Sequence, residues 1–75
     1  MTNTISSKPS CVQCTATTRA MAARGITYSV IDVTADTEAL AYITSLGYRQ
    51  APVVVTGAGH WSGFRPDKID QLDTL

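Results

Sequence analysis

The chain begins with a strand, a helix and a second strand, and this order restricts the fold more than any other feature of the sequence. The segment Thr2–Ser7, centred on Ile5, is interpreted as the first strand. Good or neutral helix formers fill Val12–Arg24, and the glycine that follows is a common helix stop. The run Ile26–Val33 is rich in β-branched residues and alternates. A β-α-β unit of this kind predicts two parallel strands joined by a right-handed crossover.

Periodicity indicates which faces of the next elements are buried. Alternation along the second strand predicts that three side chains share one side: Ile26, Tyr28 and Val30. Four apolar residues then recur at helical spacing: Ala39, Leu40, Ile43 and Leu46. Thr34 or Asp36 can cap the N-terminus of this second helix, and Gly47 lies just past its end.

The last third of the chain predicts a hairpin and a third helix. Pro52 precedes the run Val53–Thr56, and a Gly-Ala-Gly connection leads to His60–Ser62. The pair Arg65-Pro66 begins a helix whose apolar and acidic residues each recur every third position: Ile69, Leu72 and Leu75 inward, Asp67, Asp70 and Asp73 outward. The order β-α-β-α-β-β-α predicts an α/β, thioredoxin-like fold, in which three helices flank a four-stranded mixed sheet.

Length and charge limit what the chain can do. Its 75 residues suffice for one domain, which we expect to span residues 1–75. Six basic residues balance six acidic ones, so no basic field is available to bind nucleic acid or an anionic membrane surface. No apolar stretch is as long as a membrane span, and the N-terminal residues lack the order of a secretory signal. We expect a cytoplasmic monomer.

The two cysteines, Cys11 and Cys14, carry the predicted chemistry. Cytosolic thiols are kept reduced, and a bridge across three positions restricts the unfolded chain little, so a stabilising disulfide is a poor explanation. At the junction of strand and helix, unpaired N–H groups favour a thiolate on Cys11. Cys14, one turn on, can then displace a partner and leave a reversible internal disulfide. Lys8 adds positive potential, while Val12 and Gln13 tune the motif without charge.

The same residues also allow purely structural interpretations and a competing functional one. A zinc site needs two further ligands, and the sequence offers only His60, so we predict no metal. A non-catalytic module that senses redox state or binds zinc remains the alternative from a different class. Trp61 and Phe64 can be ordinary core aromatics or a flat docking patch for a partner. Pro52 can be a simple strand entry.

Three segments together closely resemble the NrdH-redoxins. They are Lys8–Cys14 (KPSCVQC), Leu46–Val54 (LGYRQAPVV) and His60–Asp67 (HWSGFRPD). The likeness spans nearly all of the chain. It implies a glutaredoxin-like sequence with thioredoxin-like behaviour, in which electrons pass from NADPH through thioredoxin reductase to the large subunit of class Ib ribonucleotide reductase and so support deoxyribonucleotide synthesis. A general disulfide reductase with other clients is the runner-up.

The resemblance also implies roles for individual residues. Cys11 and Cys14 match the redox cysteines, and Pro52 matches a cis-proline that exposes the backbone of Ala51 to a partner. The segment Trp61–Pro66 matches a hallmark of the family beside the active site. The partner-binding residues we predict are therefore Lys8, Val12, Gln13, Ala51, Pro52, Trp61, Phe64 and Arg65, with no bound cofactor and NADPH used only through the reductase. Glutaredoxins that use glutathione typically carry Thr-Val-Pro and Gly-Gly-x-Asp elements at these places, which this sequence lacks.

Overall fold

A computed structural model describes residues 3–57 and 59–73, and it has the predicted order of elements. The strands are β1 (Thr4–Ser7), β2 (Ser29–Asp32), β3 (Val53–Val55) and β4 (His60–Ser62). The helices are α1 (Val12–Ala23), α2 (Thr37–Ser45) and α3 (Pro66–Asp73). The predicted fold class is confirmed: this is a thioredoxin-like α/β fold with three helices and a four-stranded mixed sheet.

The sheet has the strand order β2-β1-β3-β4. Strands β1 and β2 are parallel, with Ile5 opposite Val30, whereas β3 pairs antiparallel with both β1 and β4. The predicted β-α-β crossover and hairpin are therefore both present. Strand β1 is central in the sheet and parallel only to β2. The chain leaves the C-terminal end of β1 and soon enters α1, and the cysteines lie at the start of that helix.

Alternation along β3 divides the core between the two faces of the sheet. Val54 joins the larger cluster, under α1 and α3, whose buried members are Ile5, Met21, Val54, Trp61 and Ile69. Val53 faces the opposite way and packs with Val33 and Ile43 beneath α2. Successive strand residues point to opposite faces, so one β-branched run serves two hydrophobic layers.

Both α1 and α2 end where glycine permits a left-handed backbone. Gly25 has φ of 70°, its N–H donates to Ala22, and the N–H of Ile26 donates to the carbonyl of Met21. Gly47, with φ of 94°, ends α2 in the same way. This pair of bonds is the Schellman motif, which satisfies the last helical carbonyls. At the other end of α2, Asp36 rather than Thr34 is the N-cap.

Several predicted boundaries and faces require correction. Strand β2 is shorter than the predicted Ile26–Val33, and Val30 is 51% exposed although Ile26 and Tyr28 pack against the core. Leu40, which we expected on the buried face of α2, is 46% exposed. Strand β2 lies at the sheet edge, and α2 has only nine residues, so neither element is covered along its whole predicted apolar face. Predictions for Thr2, Leu75, the side chain of Asp73 and the middle of the Gly-Ala-Gly connection fall outside the described residues.

Candidate active site

Cys11 forms the N-cap of α1, as the sequence predicted. Its backbone is extended, with φ of −105° and ψ of 107°, and its Sγ accepts a hydrogen bond of 3.2 Å from the N–H of Cys14. A helix N-terminus presents unpaired N–H groups and the positive end of the helix dipole. Negative charge on the Cys11 sulfur is therefore stabilised by α1 itself.

The two sulfurs are joined in a disulfide, and they differ in access to solvent. The Cα atoms of Cys11 and Cys14 are 5.2 Å apart, within the usual range for a disulfide. Cys14 is only 4% exposed, whereas Cys11 is half-buried at the edge of the fold. An incoming disulfide can reach Cys11 directly and cannot reach Cys14 in the same way. This difference fits an outer attacking thiol and an inner resolving thiol.

The difference in access gives a direct prediction for the reduced protein. Iodoacetamide at limiting concentration should alkylate Cys11 at least about ten times faster than Cys14, because Cys11 is both more exposed and stabilised as a thiolate. Peptide mass spectrometry after quenching measures the two rates. The single variants Cys11→Ser and Cys14→Ser provide the matched rates for each thiol alone. Faster labelling of Cys14 would reverse the assigned roles.

The loop that precedes β3 lies beside the outer sulfur. The peptide bond between Ala51 and Pro52 is cis, and Pro52 is fully buried. The carbonyl oxygen of Ala51 is 3.9 Å from Sγ of Cys11. The main chain of Ala51 therefore lies within reach of a segment that approaches Cys11.

A third segment, the loop between β4 and α3, is tied to both of the others. The N–H of Gly63 donates to the carbonyl of Pro52 over 2.8 Å. The N–H of Phe64 donates to Oε1 of Gln13 over 3.2 Å, across 51 positions of sequence. Gly63 was not among the residues predicted from sequence, and only its place inside the hallmark segment could have indicated it.

An open groove of about 440 Å³ borders the dithiol on the side of the β2 edge. Two predicted partner-binding residues, Lys8 and Val12, line it together with the cysteines, and Val12 is 83% exposed. The remaining lining residues were not predicted: Ser7, Ser10, Thr15, Thr18 and Val30. The exposure of Val30 follows from its position on an edge strand. Its β-branched character predicted a strand residue but not a surface one.

Trp61 and Phe64 differ in position, so the predicted docking patch made of both aromatics requires correction. Trp61 is 8% exposed and belongs to the core cluster with Ile5 and Met21. Phe64 is 39% exposed, next to the Gln13 hydrogen bond. Trp61 is thus a core aromatic, the commoner of its two interpretations, because alternation along β4 directs it beneath the helices. The exposed aromatic beside the dithiol is Phe64.

Arg65 is engaged with a neighbouring carboxylate. Its Nε and Nη2 donate to the two carboxylate oxygens of Asp67 over 3.1 and 2.9 Å. This hydrogen bonding to Arg65 lowers the pKa of Asp67 below its usual value, and it raises the pKa of the guanidinium. This two-bond pairing lies at the start of α3, and the Arg65 side chain remains at the surface.

Two further findings concern alternatives to a redox site. Among residues 3–57 and 59–73, no group of three or more His, Cys, Asp or Glu side chains is placed to hold a metal ion. His60 instead shares a hydrogen bond of 2.7 Å between its Nδ1 and the Tyr48 hydroxyl. In the same described part of the chain, no helix has both the length and the apolarity to cross a membrane.

Together, the fold and the cysteine pair at the N-terminus of α1 define a thiol oxidoreductase with a thioredoxin fold. The glutaredoxin family model matches residues 3–61. The glutaredoxin-like protein NrdH of Escherichia coli strain K12 is 48% identical over 92% of this chain and 85% of its own length. The chain therefore belongs to the glutaredoxin family and, within it, to the NrdH-redoxins.

Solved structures agree with this placement. The structure of the E. coli NrdH-redoxin, a protein described as having a thioredoxin-like activity profile, superposes with a TM-score of 0.92 at 47% identity, covering 96% of this chain and 95% of that one. A glutaredoxin from Archaeoglobus fulgidus superposes with a TM-score of 0.82 at 22% identity, covering 93% and 83% of the two chains. At that identity the second likeness supports the fold alone.

Proposed function

We propose that this protein is a cytoplasmic dithiol electron carrier that accepts electrons from NADPH through thioredoxin reductase and delivers them to class Ib ribonucleotide reductase. The observation that carries the proposal is the arrangement around Cys11. Its sulfur caps a helix, its resolving partner lies directly behind it, and the Ala51 carbonyl lies beside it. Membership of the NrdH-redoxins supports the choice of donor and client.

The exchange proceeds in two balanced steps. The Cys11 thiolate attacks one sulfur of the client disulfide, the client S–S bond breaks, and the second client sulfur leaves as a thiolate. The Cys14 thiolate then attacks Sγ of Cys11, breaks the mixed disulfide, and releases the first client sulfur. The client gains two electrons and two protons overall, and the carrier is left with its internal disulfide.

The hydrogen bond from Cys14 N–H to Cys11 Sγ supports the first of these steps and the later reduction of the carrier. It stabilises charge on the attacking sulfur before exchange, and again when that sulfur becomes the leaving group for the reductase. The donor is a main-chain group fixed in the first turn of α1, so it is in place before a client binds. The reductase reverses the sequence by attacking the Cys11–Cys14 disulfide with its own thiolate.

The bonding of the loop before α3 supports weak use of glutathione. The N–H groups of Gly63 and Phe64 already donate to Pro52 and Gln13. They are main-chain donors of the segment that replaces the Gly-Gly-x-Asp element. A glutathione carboxylate would have to displace these internal acceptors, and exposed ion pairs alone contribute little in water.

A protein donor depends less on a charged pocket. The main chain of Ala51 can pair with an extended partner segment, and the exposed side chains of Val12 and Phe64 can offer apolar contact near the dithiol motif. Buried apolar anchors generally dominate the energy of such interfaces. These features support thioredoxin reductase as the donor.

The donor is tested by steady-state NADPH oxidation. With ribonucleotide reductase as the acceptor, we expect catalytic efficiency with thioredoxin reductase to exceed that with glutathione and glutathione reductase by at least about a hundredfold, the scale of a few kcal/mol of docking energy. Insulin is the second acceptor. A general reductase should reduce insulin about as well as ribonucleotide reductase, whereas a dedicated carrier should reduce insulin more slowly. Equal or faster turnover with glutathione would overturn the assignment of the donor.

A further inference from the structure

Gln13 is the second variable residue of the Cys-x-x-Cys motif. It lies on the first turn of α1, yet its side chain reaches the loop between β4 and α3. There, Oε1 accepts the N–H of Phe64 at 3.2 Å. Gln13 itself is exposed, so burial of its side chain does not account for the hydrogen bond to Phe64.

We infer that Gln13 is a positioning residue that holds Phe64 in place beside the Cys-x-x-Cys turn for docking of a protein disulfide. The inference deepens the proposed function, because it names what determines preference for a protein partner over a small disulfide. Gln13 acts through the main chain of Phe64 rather than on the reacting sulfurs. This indirect role is proposed in addition to the direct partner contact predicted from the sequence.

A neighbouring hydrogen bond in the same loop shows why one acceptor, Oε1 of Gln13, is enough to hold it. Gly63 donates to Pro52, and the next residue, Phe64, donates to Gln13. Consecutive main-chain groups are therefore held by the loop before β3 and by the Cys-x-x-Cys turn itself. A Cβ on Gly63 would lie 3.3 Å from Oε1 of Gln13, so the amide is close against the loop as well as bonded to it.

Loss of this bond should affect docking and not chemistry. Phe64 is 39% exposed, so its ring is only partly packed against the fold, and the bond to Gln13 helps to hold its main chain in place. If the loop is released, a partner must order it again on binding, and the ordering reduces affinity. A small disulfide that meets only Cys11 makes no use of the loop.

The experiment compares two disulfides under dithiothreitol, without any enzyme donor. Gln13→Met keeps the length of the side chain and removes the acceptor. We expect it to lower the second-order rate with insulin about fivefold, which corresponds to about 1 kcal/mol at 1.4 kcal/mol per tenfold. The rate with hydroxyethyl disulfide should change by less than about twofold, and that ratio is the readout.

Two further measurements test the route of action. Amide hydrogen exchange at Phe64 should accelerate in Gln13→Met and recover in Gln13→Glu, which keeps an acceptor at the same length. In a double-mutant cycle, Gln13→Met should have no further effect on the insulin rate in a Phe64→Ala background. Gln71→Met, the same chemical change on α3, is the matched control and should leave both disulfide rates unchanged.

The results that overturn the inference are distinct from failure of the proposed function. Equal losses with insulin and hydroxyethyl disulfide would place Gln13 at the thiol chemistry. Unchanged exchange at Phe64, or additive effects in the cycle, would remove the link to the loop. None of these readouts depends on thioredoxin reductase or ribonucleotide reductase, so a different physiological donor or client leaves the test intact.

Discussion

Cys14→Ser is expected to stop multiple turnover and to trap a mixed disulfide between Cys11 and the client. The outer sulfur of Cys11 is half-buried and capped by α1, so it can still attack. The inner residue no longer carries the sulfur that resolves the intermediate. Cys11→Ser should lower the rate of exchange by about a thousandfold or more, the scale on which covalent nucleophiles contribute.

Non-reducing electrophoresis and intact mass spectrometry, after incubation of each reduced variant with client, measure the trapped species. Cys11→Ser is the matched control, because it retains one cysteine, 4% exposed in the native protein, and should trap none. Catalytic NADPH oxidation is recorded in parallel. Sustained turnover by Cys14→Ser would show that a single thiol suffices, and trapping by Cys11→Ser would exchange the two roles.

Trp61→Ala is expected to lower the free energy of unfolding by about 3–5 kcal/mol, the usual cost of removing a large buried aromatic. Trp61 is 8% exposed and packs with Ile5, Met21 and Ile69 beneath α1 and α3. Small domains have total stabilities of only about 5–15 kcal/mol, so such a loss is a large fraction of the whole. A loss of activity in this variant therefore reports on the fold.

Urea unfolding followed by far-ultraviolet circular dichroism provides the measurement, because the single tryptophan of the chain is the residue removed. Phe64→Ala is the matched control, and we expect it to cost less than about 1 kcal/mol, since its side chain is 39% exposed. Trp61→Phe should lie between them, because it keeps a ring and removes an indole N–H that has no partner in the described structure. A stability for Trp61→Ala within about 1 kcal/mol of the native value would contradict the core assignment.

Local signals account for what could be predicted correctly. The helix formers before Gly25, the proline before Val53–Val55 and the apolar spacing around Ile43 each depend on neighbours within a few positions. Their order then defines the sheet, because a β-α-β unit has one favoured hand. The position of Cys11 at a helix N-terminus follows from the same local pattern, and so does its chemistry.

Contacts between distant parts of the chain could not be predicted in this way. The bond between Gln13 and Phe64 spans 51 positions, and no periodicity in either segment indicates it. The exposure of Val30 depends on whether a further strand or helix covers β2, and none among the described elements extends the sheet beyond it. β-propensity identifies a strand, whereas burial depends on where that strand lies in the sheet.

The sequence by itself determined the order of the elements, the class of chemistry and the two sulfurs that perform it, because strand, helix and capping preferences act over a few residues. Only the tertiary structure decided that the two aromatics of the hallmark segment have different environments. Trp61 lies on a strand whose inner face is covered by helices, and Phe64 lies three positions later on a loop that leaves it 39% exposed. One aromatic therefore packs in the core and the other lies partly exposed next to Gln13, because burial is a property of the packed fold and not of the residue type.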